Sequence, residues 1–208
     1  EVSKAIGMDK RICDKFLHPS VGFGGSCFQK DILNLSYLCK SYGLDHVAEY
    51  WHQVVLMNDY QKNRFFEKIS STFNFKLKDK VISIFGWSFK ANTNDSRESP
   101  AIEVTCKLLA EKAIVNVYDP KGSKEQIHKD LKEFSQKKHL KIDFTNLHVS
   151  KSHLDSTKNS NCIAILTEWE EFKSLDWNKI ISKMNKINFI IDGRYILNKK
   201  NFKSFIDF

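Results

Sequence analysis

A cysteine in a glycine-rich segment has the clearest chemical potential in this sequence. Residues 22–31 are GFGGSCFQKD, so Cys27 follows three glycines and precedes Asp31 by four positions. Glycines allow positive φ and a close approach between backbone and ligand. If a helix begins near Ser26, its free N–H groups and dipole favour a thiolate at Cys27, and Asp31 lies on the same helix face. The pattern predicts covalent catalysis by Cys27, with Asp31 acting on a water molecule or a proton.

The alternative interpretation of Cys27 is a buried structural cysteine, but the neighbouring glycines favour the catalytic interpretation.

The five cysteines stand at positions 13, 27, 39, 106 and 162 without a Cys-x-x-Cys pair. This spacing argues against a disulfide framework and a zinc site, and it favours a reducing compartment. The seven histidines are equally dispersed, so no metal site is predicted.

The overall composition narrows the class of protein. Hydrophobic residues make up 41% of the chain and charged residues 28%, and no apolar run approaches the 18 residues that a membrane helix needs. The net charge of +8 is spread along the chain without a nucleic-acid-binding motif, so neither nucleic acid nor membrane is an expected partner. Among 33 basic residues the arginines are scarce: Arg11, Arg64, Arg97 and Arg194. Because guanidinium grips phosphate in a bidentate manner, Arg11, Arg97 and Arg194 are candidate phosphate ligands, with a structural ion pair as the alternative; Arg64, in the middle of a predicted helix, is expected to form such an ion pair.

Two regions follow from the apolar periodicity. Helices are predicted over residues 29–42 and 46–73, separated by Gly43. From residue 76 onward, short apolar strands alternate with helices, which indicates a parallel α/β sheet. The predicted strands are 80–86, 114–118, 142–146, 162–167 and 188–192. The predicted helices are 100–112, 123–135, 151–157, 176–184 and 199–205, with an exposed loop over 136–141.

Ligands of such sheets bind beyond the carboxyl ends of the strands. Residues 86–90, Asp119-Pro120 and Asp192-Gly193-Arg194 lie at three of these ends. The first strand lacks a Gly-x-Gly-x-x-Gly fingerprint, because Gly86 stands alone. This half of the chain is therefore not expected to bind NAD in the usual mode.

Several motifs resemble one known family, and they occur in its order. Residues 22–31 resemble the catalytic cysteine loop of the UDP-glucose 6-dehydrogenases, in the UDP-glucose/GDP-mannose dehydrogenase family. Residues 1–12 and 51–60 resemble the stretches before and after that loop. The later landmarks are Phe89-Lys90, residues 93–99, Tyr118-Asp119-Pro120, Thr167-Glu168-Trp169 and Asp192-Gly193-Arg194. Nothing in the sequence resembles the family's N-terminal NAD-binding domain.

The resemblance implies an α/β architecture with two domains. Residues 1–75 would form a helical central region that carries the cysteine loop and mediates dimerisation. A long connecting helix would lead to a Rossmann-like, parallel-sheet UDP-sugar-binding domain over residues 76–208. A cytoplasmic homodimer, or a higher homo-oligomer, is implied. Because Glu1 already lies within an amphipathic pattern, the chain is expected to begin inside a longer protein.

The implied activity is the NAD-dependent, two-step oxidation of UDP-glucose to UDP-glucuronate. Cys27 would carry a thiohemiacetal and then a thioester, and Asp31 would orient or activate the hydrolytic water. The family's oxyanion-stabilising lysine and asparagine and its glutamate would precede Glu1. The 208 residues alone are therefore expected to be inactive.

Binding roles are implied residue by residue. Cys27 and Arg97 would contact NAD, and Arg11 would reach the substrate of the adjacent subunit. Without the resemblance, Phe89 would be taken as a core residue and Lys90 as a surface residue. The other implied substrate-binding residues are His18, Pro19, Ser20, Val21, Gly22, Phe23, Gly24, Phe89, Lys90 and Arg194.

Two alternatives stay open. The first is another nucleotide-sugar dehydrogenase, acting on GDP-mannose or UDP-N-acetyl-mannosamine, although the FQKD ending of the loop favours UDP-glucose. The second is a non-catalytic module for dimerisation or sugar-nucleotide binding. An NAD-binding domain encoded before Glu1 would argue against that module.

Overall fold

The first third of the chain is a helical arm. The structure, a computed structural model, describes residues 1–202, 205, 206 and 208. Helix α1 spans Val2–Gly7, α2 spans Phe28–Ser41 and α3 spans Asp45–Thr72. Gly43, at φ +73°, allows the tight connection through which α2 and α3 pack as a hairpin. The helices predicted over 29–42 and 46–73 are confirmed to within one residue, and the 28 residues of α3 span roughly 42 Å.

The rest of the chain is a parallel sheet flanked by helices. Six strands follow the order β3-β2-β1-β4-β5-β6, and every pair is parallel. This order is that of a doubly wound Rossmann-type sheet, with its topological switch between β1 and β4. The strands are β1 Val81–Phe85, β2 Ile114–Tyr118, β3 Leu147–Val149, β4 Cys162–Ile165, β5 Phe189–Asp192 and β6 Phe205–Ile206. The helices are α4 Pro100–Ala110, α5 Lys124–Lys137, α6 His153–Ser156, α7 Glu170–Lys173 and α8 Trp177–Lys183.

The sheet has a packed core on each face, as expected for parallel strands covered on both sides. Ile82 and Ile84 of β1 point into one core, whereas Phe85 points into the other. The first core also receives Phe65 and Ile69 from α3, both fully buried. The carboxyl half of α3 is therefore fixed against the sheet domain, and the position of its amino half follows from that contact.

The predicted third strand, 142–146, was wrong. The side chain of Asp143 accepts a hydrogen bond from Thr145 N at 2.9 Å, and this cap turns Phe144–Asn146 into a 3-10 helix. The strand begins at Leu147, which pairs with Val115 of β2. Hydrophobic residues before the turn had suggested a strand, but they pack at the edge of the first core.

Other differences concern helix ends. Helix α5 continues to Lys137, so the loop predicted to begin at residue 136 begins two residues later in the structure. The helix predicted over 151–157 is the single turn α6. Helix α7 was not predicted. The helix predicted over 199–205 was wrong where it is described. Lys199–Asn201 form one 3-10 turn, Phe205 belongs to β6, and residues 203 and 204 lie outside the described residues. The remaining predicted strands and helices agree with the structure to within two residues.

Candidate active site

The glycines of the cysteine loop are required by close contacts. Gly22 has φ +135°, and a Cβ there would lie 2.6 Å from Asn58 Oδ1. A Cβ on Gly24 would lie 2.6 Å from the carbonyl oxygen of Glu98. Since real Cβ atoms do not approach oxygen so closely, larger residues would push the loop away from α3 and from the segment that precedes α4.

Helix α3 holds one side of this loop. The Asn58 side chain accepts a hydrogen bond from Phe23 N at 2.8 Å and donates one to Phe23 O at 3.0 Å. One turn further on, Gln61 Nε2 donates to Ser20 O at 3.2 Å. Asn58 is only 4% exposed, so these bonds lie away from solvent. The backbone that leads to the thiol is thus fixed to the longest helix of the chain.

The sheet domain holds the other side of the loop. Gly25 N donates to the carbonyl oxygen of Arg97 at 2.7 Å. Together with the hydrogen bonds from Asn58 and Gln61 of α3, this bond places the loop in the cleft between α3 and residues 97–98. A ligand that touches the loop can therefore touch both regions of the chain.

Cys27 lies at the N-cap of α2, and its side chain is exposed, as predicted for a presented thiol. Ser26 Oγ lies 3.6 Å from Cys27 Sγ. Asp31 is exposed one helical turn later, and its backbone N donates to Cys27 O at 2.8 Å. The two residues therefore share a face of the first turn of α2.

Arg97 lies against the cysteine loop, since its carbonyl oxygen accepts a hydrogen bond from Gly25 N. The pKa of its guanidinium is raised mainly by the hydrogen bond to the Asp95 side chain and then by the charge of Asp95. The guanidinium Nη2 lies 2.7 Å from Asp95 Oδ2, and the side chain is 67% exposed. Arg97 thus presents a positive charge to solvent beside the thiol.

A cavity of about 750 Å³ opens next to the loop. Its volume is in the range of small-molecule sites. It brings together three segments that the sequence singled out: the loop, the end of β1 at Phe89, and the end of β5 at Arg194. The lining residues are Phe16, Ser20, Gly22, Phe23, Gly24, Tyr50, Gln53, Val54, Met57, Asn58, Gln61, Phe89 and Arg194.

Not every predicted substrate residue lines this cavity. The Val21 side chain is fully buried in the core, so only its backbone could meet a ligand. Lys90 is exposed, with Nζ 5.4 Å from the centroid of the Phe89 ring. His18 and Pro19 are exposed as well, and His18 lines a second cavity of about 580 Å³ with Glu168 and Arg194.

Arg11 lies apart from both cavities. Its side chain is 88% exposed and forms an ion pair with Asp9 at 2.7 Å. An exposed pair two residues apart contributes little to stability. The guanidinium is therefore free to exchange this partner for another anion.

Arg194 is the most enclosed cation of the site. Its Nη1 donates to Ser20 Oγ, and its Nη2 lies 2.7 Å from Glu168 Oε2. Within the described part of the chain, its buried Nε has no hydrogen-bond partner. Burial lowers the pKa of Arg194, and the charges of Glu168 and Asp192 oppose that shift. Such a guanidinium is favoured by a further anion.

The turn after β1 already has an internal anion. Asp119 Oδ2 accepts from Trp87 N at 2.6 Å, from Ser88 N at 3.0 Å and from Trp169 Nε1 at 3.1 Å. In a dinucleotide fold, the amides of this turn would face a pyrophosphate. Here the Asp119 carboxylate occupies them.

Sequence reasoning missed Asn58, Gln61 and Glu168 as contacts of the site. A signal for Asn58 was present, because it interrupts the buried stripe of α3 that contains Val55, Phe65 and Ile69. A buried polar side chain in an apolar stripe needs a partner, and its partner is Phe23. Lys62 is a second buried polar residue in this stripe, and its Nζ lies 3.8 Å from Glu103 Oε2 of α4.

The other cysteines and the possible metal ligands add no second site. Burial raises the pKa of the Cys106 thiol to about 11, and burial also raises the pKa of Cys162. Across residues 1–202, 205, 206 and 208, no group of three or more His, Cys, Asp or Glu side chains could hold a metal ion. In the same part of the chain, no helix has the length and apolarity to cross a membrane.

Comparison with known proteins places the chain in a family. Residues 1–60 match the central domain of the UDP-glucose/GDP-mannose dehydrogenase family, and residues 83–199 match its UDP binding domain. UDP-glucose 6-dehydrogenase 4 of Arabidopsis thaliana is 48% identical over 206 residues, which cover 95% of this chain and 43% of the relative. UDP-glucose 6-dehydrogenase 3 of Oryza sativa subsp. japonica is 44% identical over 211 residues, which cover 98% of this chain and 44% of the relative.

The fold agrees with these matches. The structure of a UDP-glucose dehydrogenase from the hyperthermophilic archaeon Pyrobaculum islandicum is similar with a TM-score of 0.78 and 26% identity, covering 98% of this chain and 42% of that one. The chain thus spans less than half the length of these relatives. The two matched domains account for most of its residues. The chain therefore belongs to the UDP-glucose/GDP-mannose dehydrogenase family.

Proposed function

We propose that the full-length protein is an NAD-dependent UDP-glucose 6-dehydrogenase, which oxidises UDP-glucose to UDP-glucuronate in two steps. The observation that carries this proposal is the exposed Cys27 at the start of α2, directly after a loop that lines a cavity of about 750 Å³. The Arabidopsis and Oryza relatives with this name support UDP-glucose as the substrate.

Cys27 acts as the nucleophile. Its Sγ bonds to C6 of the sugar at the aldehyde level and forms a thiohemiacetal; after the second oxidation the same sulfur holds C6 as a thioester. Water then adds to the thioester carbon, the C–S bond breaks, and the carboxylate leaves as the thiol is restored. Asp31, one helical turn away, orients this water and takes its proton.

The nucleotide sugar lies in the cavity next to the loop. The backbone of residues 18–24 and the Phe23 ring surround the glucose, and Phe89 provides an aromatic contact. Lys90 and Arg194 meet the diphosphate. The position of Arg194 supports this assignment, because its guanidinium is a cation in the lining of the cavity.

Among the described residues, Arg97 is the proposed contact for NAD. Arg97 exposes a guanidinium beside Cys27, on the side where a cofactor must reach the carbon that the sulfur holds. When bound, NAD supplies the hydride acceptor for both oxidations. The amides of the β1 turn already donate to Asp119, so they would not be available to the phosphates of NAD.

The functional unit is a homodimer formed through the helical arm, or a higher homo-oligomer built from such dimers. It works in the reducing environment of the cytoplasm. Large apolar side chains stand exposed along α2 and α3, a surface that a partner subunit would cover. Arg11, exposed on the same arm, exchanges its ion pair with Asp9 for the substrate of the partner subunit. The exposed apolar residues of α2 and α3 are Phe28, Leu33, Leu35, Tyr37, Leu38, Val47, Tyr50, Leu56, Met57 and Tyr60.

The test of this function is a substrate panel. Full-length protein is incubated with NAD and, separately, with UDP-glucose, GDP-mannose and UDP-N-acetyl-mannosamine, and NADH formation is followed by absorbance. Two NADH per UDP-glucose and a preference for that sugar are expected. Preferred oxidation of another sugar would reject the substrate, and no oxidation of any of them would reject the activity. The 208 residues alone are expected to form no NADH.

A further inference from the structure

The motif Thr167-Glu168-Trp169, which follows β4, contacts the turn after β1 directly through Thr167 and Glu168, and through Asp119 in the case of Trp169. Thr167 Oγ1 donates to Ser88 O at 2.6 Å. Trp169 Nε1 donates to the Asp119 oxygen that also holds the amides of this turn. A β4 segment with no assigned role therefore shapes the backbone on which Phe89 and Lys90 stand.

Glu168 makes two contacts with different parts of the site. Its Oε1 accepts a hydrogen bond from Ala91 N, the residue after Lys90, at 3.2 Å. Its Oε2 lies 2.7 Å from Arg194 Nη2. The Glu168 side chain is 31% exposed and that of Arg194 only 13%, so the pair is largely shielded from water. One carboxylate thus joins the backbone of one proposed diphosphate ligand to the side chain of the other.

We propose that Glu168 is a positioning residue for the diphosphate of the nucleotide sugar: it fixes the Lys90 backbone and the Arg194 guanidinium relative to each other. This inference rests on the proposed function of the cavity. With Nη1 on Ser20 and Nη2 on Glu168, the guanidinium plane is held from two sides. A pre-oriented guanidinium loses less entropy when it binds an anion, which strengthens binding.

An electrostatic role and a positioning role of Glu168 predict opposite effects on the affinity for UDP. A carboxylate near a diphosphate repels it, so removal of the charge should tighten binding if Glu168 only contributed electrostatics. Positioning predicts the opposite result, because Arg194 would lose its orientation. The direction of the change in affinity therefore separates the two roles.

The test compares UDP with uridine as ligands of the full-length protein by titration calorimetry. For Glu168→Gln, the Kd of UDP is expected to rise about tenfold, because the ion pair that orients Arg194 is lost, with the Kd of uridine unchanged. Glu168→Asp keeps the charge but is one methylene too short for both contacts, so a smaller rise is expected. Glu170→Gln is the matched control: Glu170 is exposed, its Oε2 lies 2.7 Å from Lys173 Nζ, and the substitution should leave both constants unchanged.

A double-mutant cycle with Arg194→Ala shows whether Glu168 acts through Arg194. In the Arg194→Ala background, Glu168→Gln should raise the Kd of UDP by a smaller factor than in the wild type, since only the contact with the backbone after Lys90 is left to be weakened. Tighter or unchanged UDP binding by Glu168→Gln would overturn the inference, as would an equal loss for UDP and uridine. If the wild-type protein does not bind UDP, the proposed function itself fails.

Discussion

The side-chain amide of Asn58 makes two hydrogen bonds to the backbone of Phe23, 35 residues earlier in the chain. The loop that carries Cys27 has no regular structure of its own before α2. Its position therefore depends on a partner with both a donor and an acceptor, and Asn58 supplies both. A rigid helix thus orients the loop that presents the thiol.

Replacement of Asn58 should affect both folding and substrate binding. In Asn58→Ala, the amide and the carbonyl of Phe23 lose their partners, and we expect the free energy of unfolding to fall by about 1–3 kcal/mol. The KM for UDP-glucose should rise, because Phe23 lines the cavity. Urea denaturation and steady-state kinetics measure the two effects. His46→Ala, at an exposed site on the same helix, should change neither quantity; equal behaviour of the two variants would contradict the role of Asn58.

Gly24 should not tolerate a methyl group. A Cβ at this position would lie 2.6 Å from Glu98 O and 2.9 Å from Phe89 Cβ, so Gly24→Ala must displace the loop or the β1 turn. We expect the KM for UDP-glucose to rise at least tenfold. Gly43→Ala serves as the control: its φ of +73° costs about 1 kcal/mol of stability, but its Cβ meets nothing within 4 Å. The control should lose stability and keep its KM. A normal KM for Gly24→Ala would mean that the loop does not contact the substrate.

The cysteines should differ in their reaction with iodoacetamide. Alkylation needs an accessible thiolate, so exposed Cys13 and Cys27 should react, whereas burial and a raised pKa protect Cys106 and Cys162. Peptide mass spectrometry after a short exposure of the full-length protein measures each site. UDP-glucose should slow the labelling of Cys27 without affecting Cys13. Equal protection of the two residues, or none, would argue against a substrate site at Cys27.

The apolar surface of the helical arm should be an interface. Tyr37 on α2 is 71% exposed, and a charge there would be buried if two subunits meet on this face. Tyr37→Glu is expected to shift the full-length protein from dimer towards monomer in analytical ultracentrifugation. Phe75→Glu, at a residue 69% exposed beyond α3, should leave the mass unchanged. A dimer that survives Tyr37→Glu would place the interface elsewhere.

The Asp95–Arg97 pair should give stability a defined dependence on pH. The hydrogen bond with the Arg97 side chain is the largest cause that lowers the pKa of Asp95. A carboxylate with a lowered folded-state pKa adds stability above its unfolded pKa of about 4 and loses it as the pH falls through the folded value. The difference in stability between the wild type and Arg97→Gln should therefore be constant from pH 5 to 7 and shrink below about pH 4. Arg64→Gln, which removes a hydrogen bond to Gln61 and a cation–π contact with the Phe208 ring, neither of them with a carboxylate, should show a difference that does not depend on pH.

Local patterns predicted much of the fold. The apolar stripe of α3 and the buried runs of β1, β2, β4 and β5 are signals within single segments, and the structure has these elements at the predicted places. The third strand was misplaced because Asp143 caps a 3-10 turn where the apolar pattern continues. In that segment, one side-chain hydrogen bond outweighed the hydrophobic pattern.

The loop and its exposed thiol could also be predicted, since glycines, a cysteine and a helix start lie within ten residues. The partners of the site could not. Ser20 and Arg194 are 174 residues apart in sequence, and Glu168 meets Ala91 across 77 residues. Such contacts follow from the sheet order and from the docking of α3, neither of which a local pattern contains.

Covalent catalysis by Cys27 can be tested by the turnover of a Cys27→Ser variant. The full-length variant is assayed for UDP-glucuronate with NAD and UDP-glucose, alongside Cys13→Ser as a control at another exposed cysteine. We predict that Cys27→Ser loses at least a thousandfold in kcat and still binds UDP-glucose, because a serine hydroxyl is not activated at this position. Cys13→Ser should behave as the wild type. Formation of UDP-glucuronate by Cys27→Ser at the wild-type rate would contradict the account.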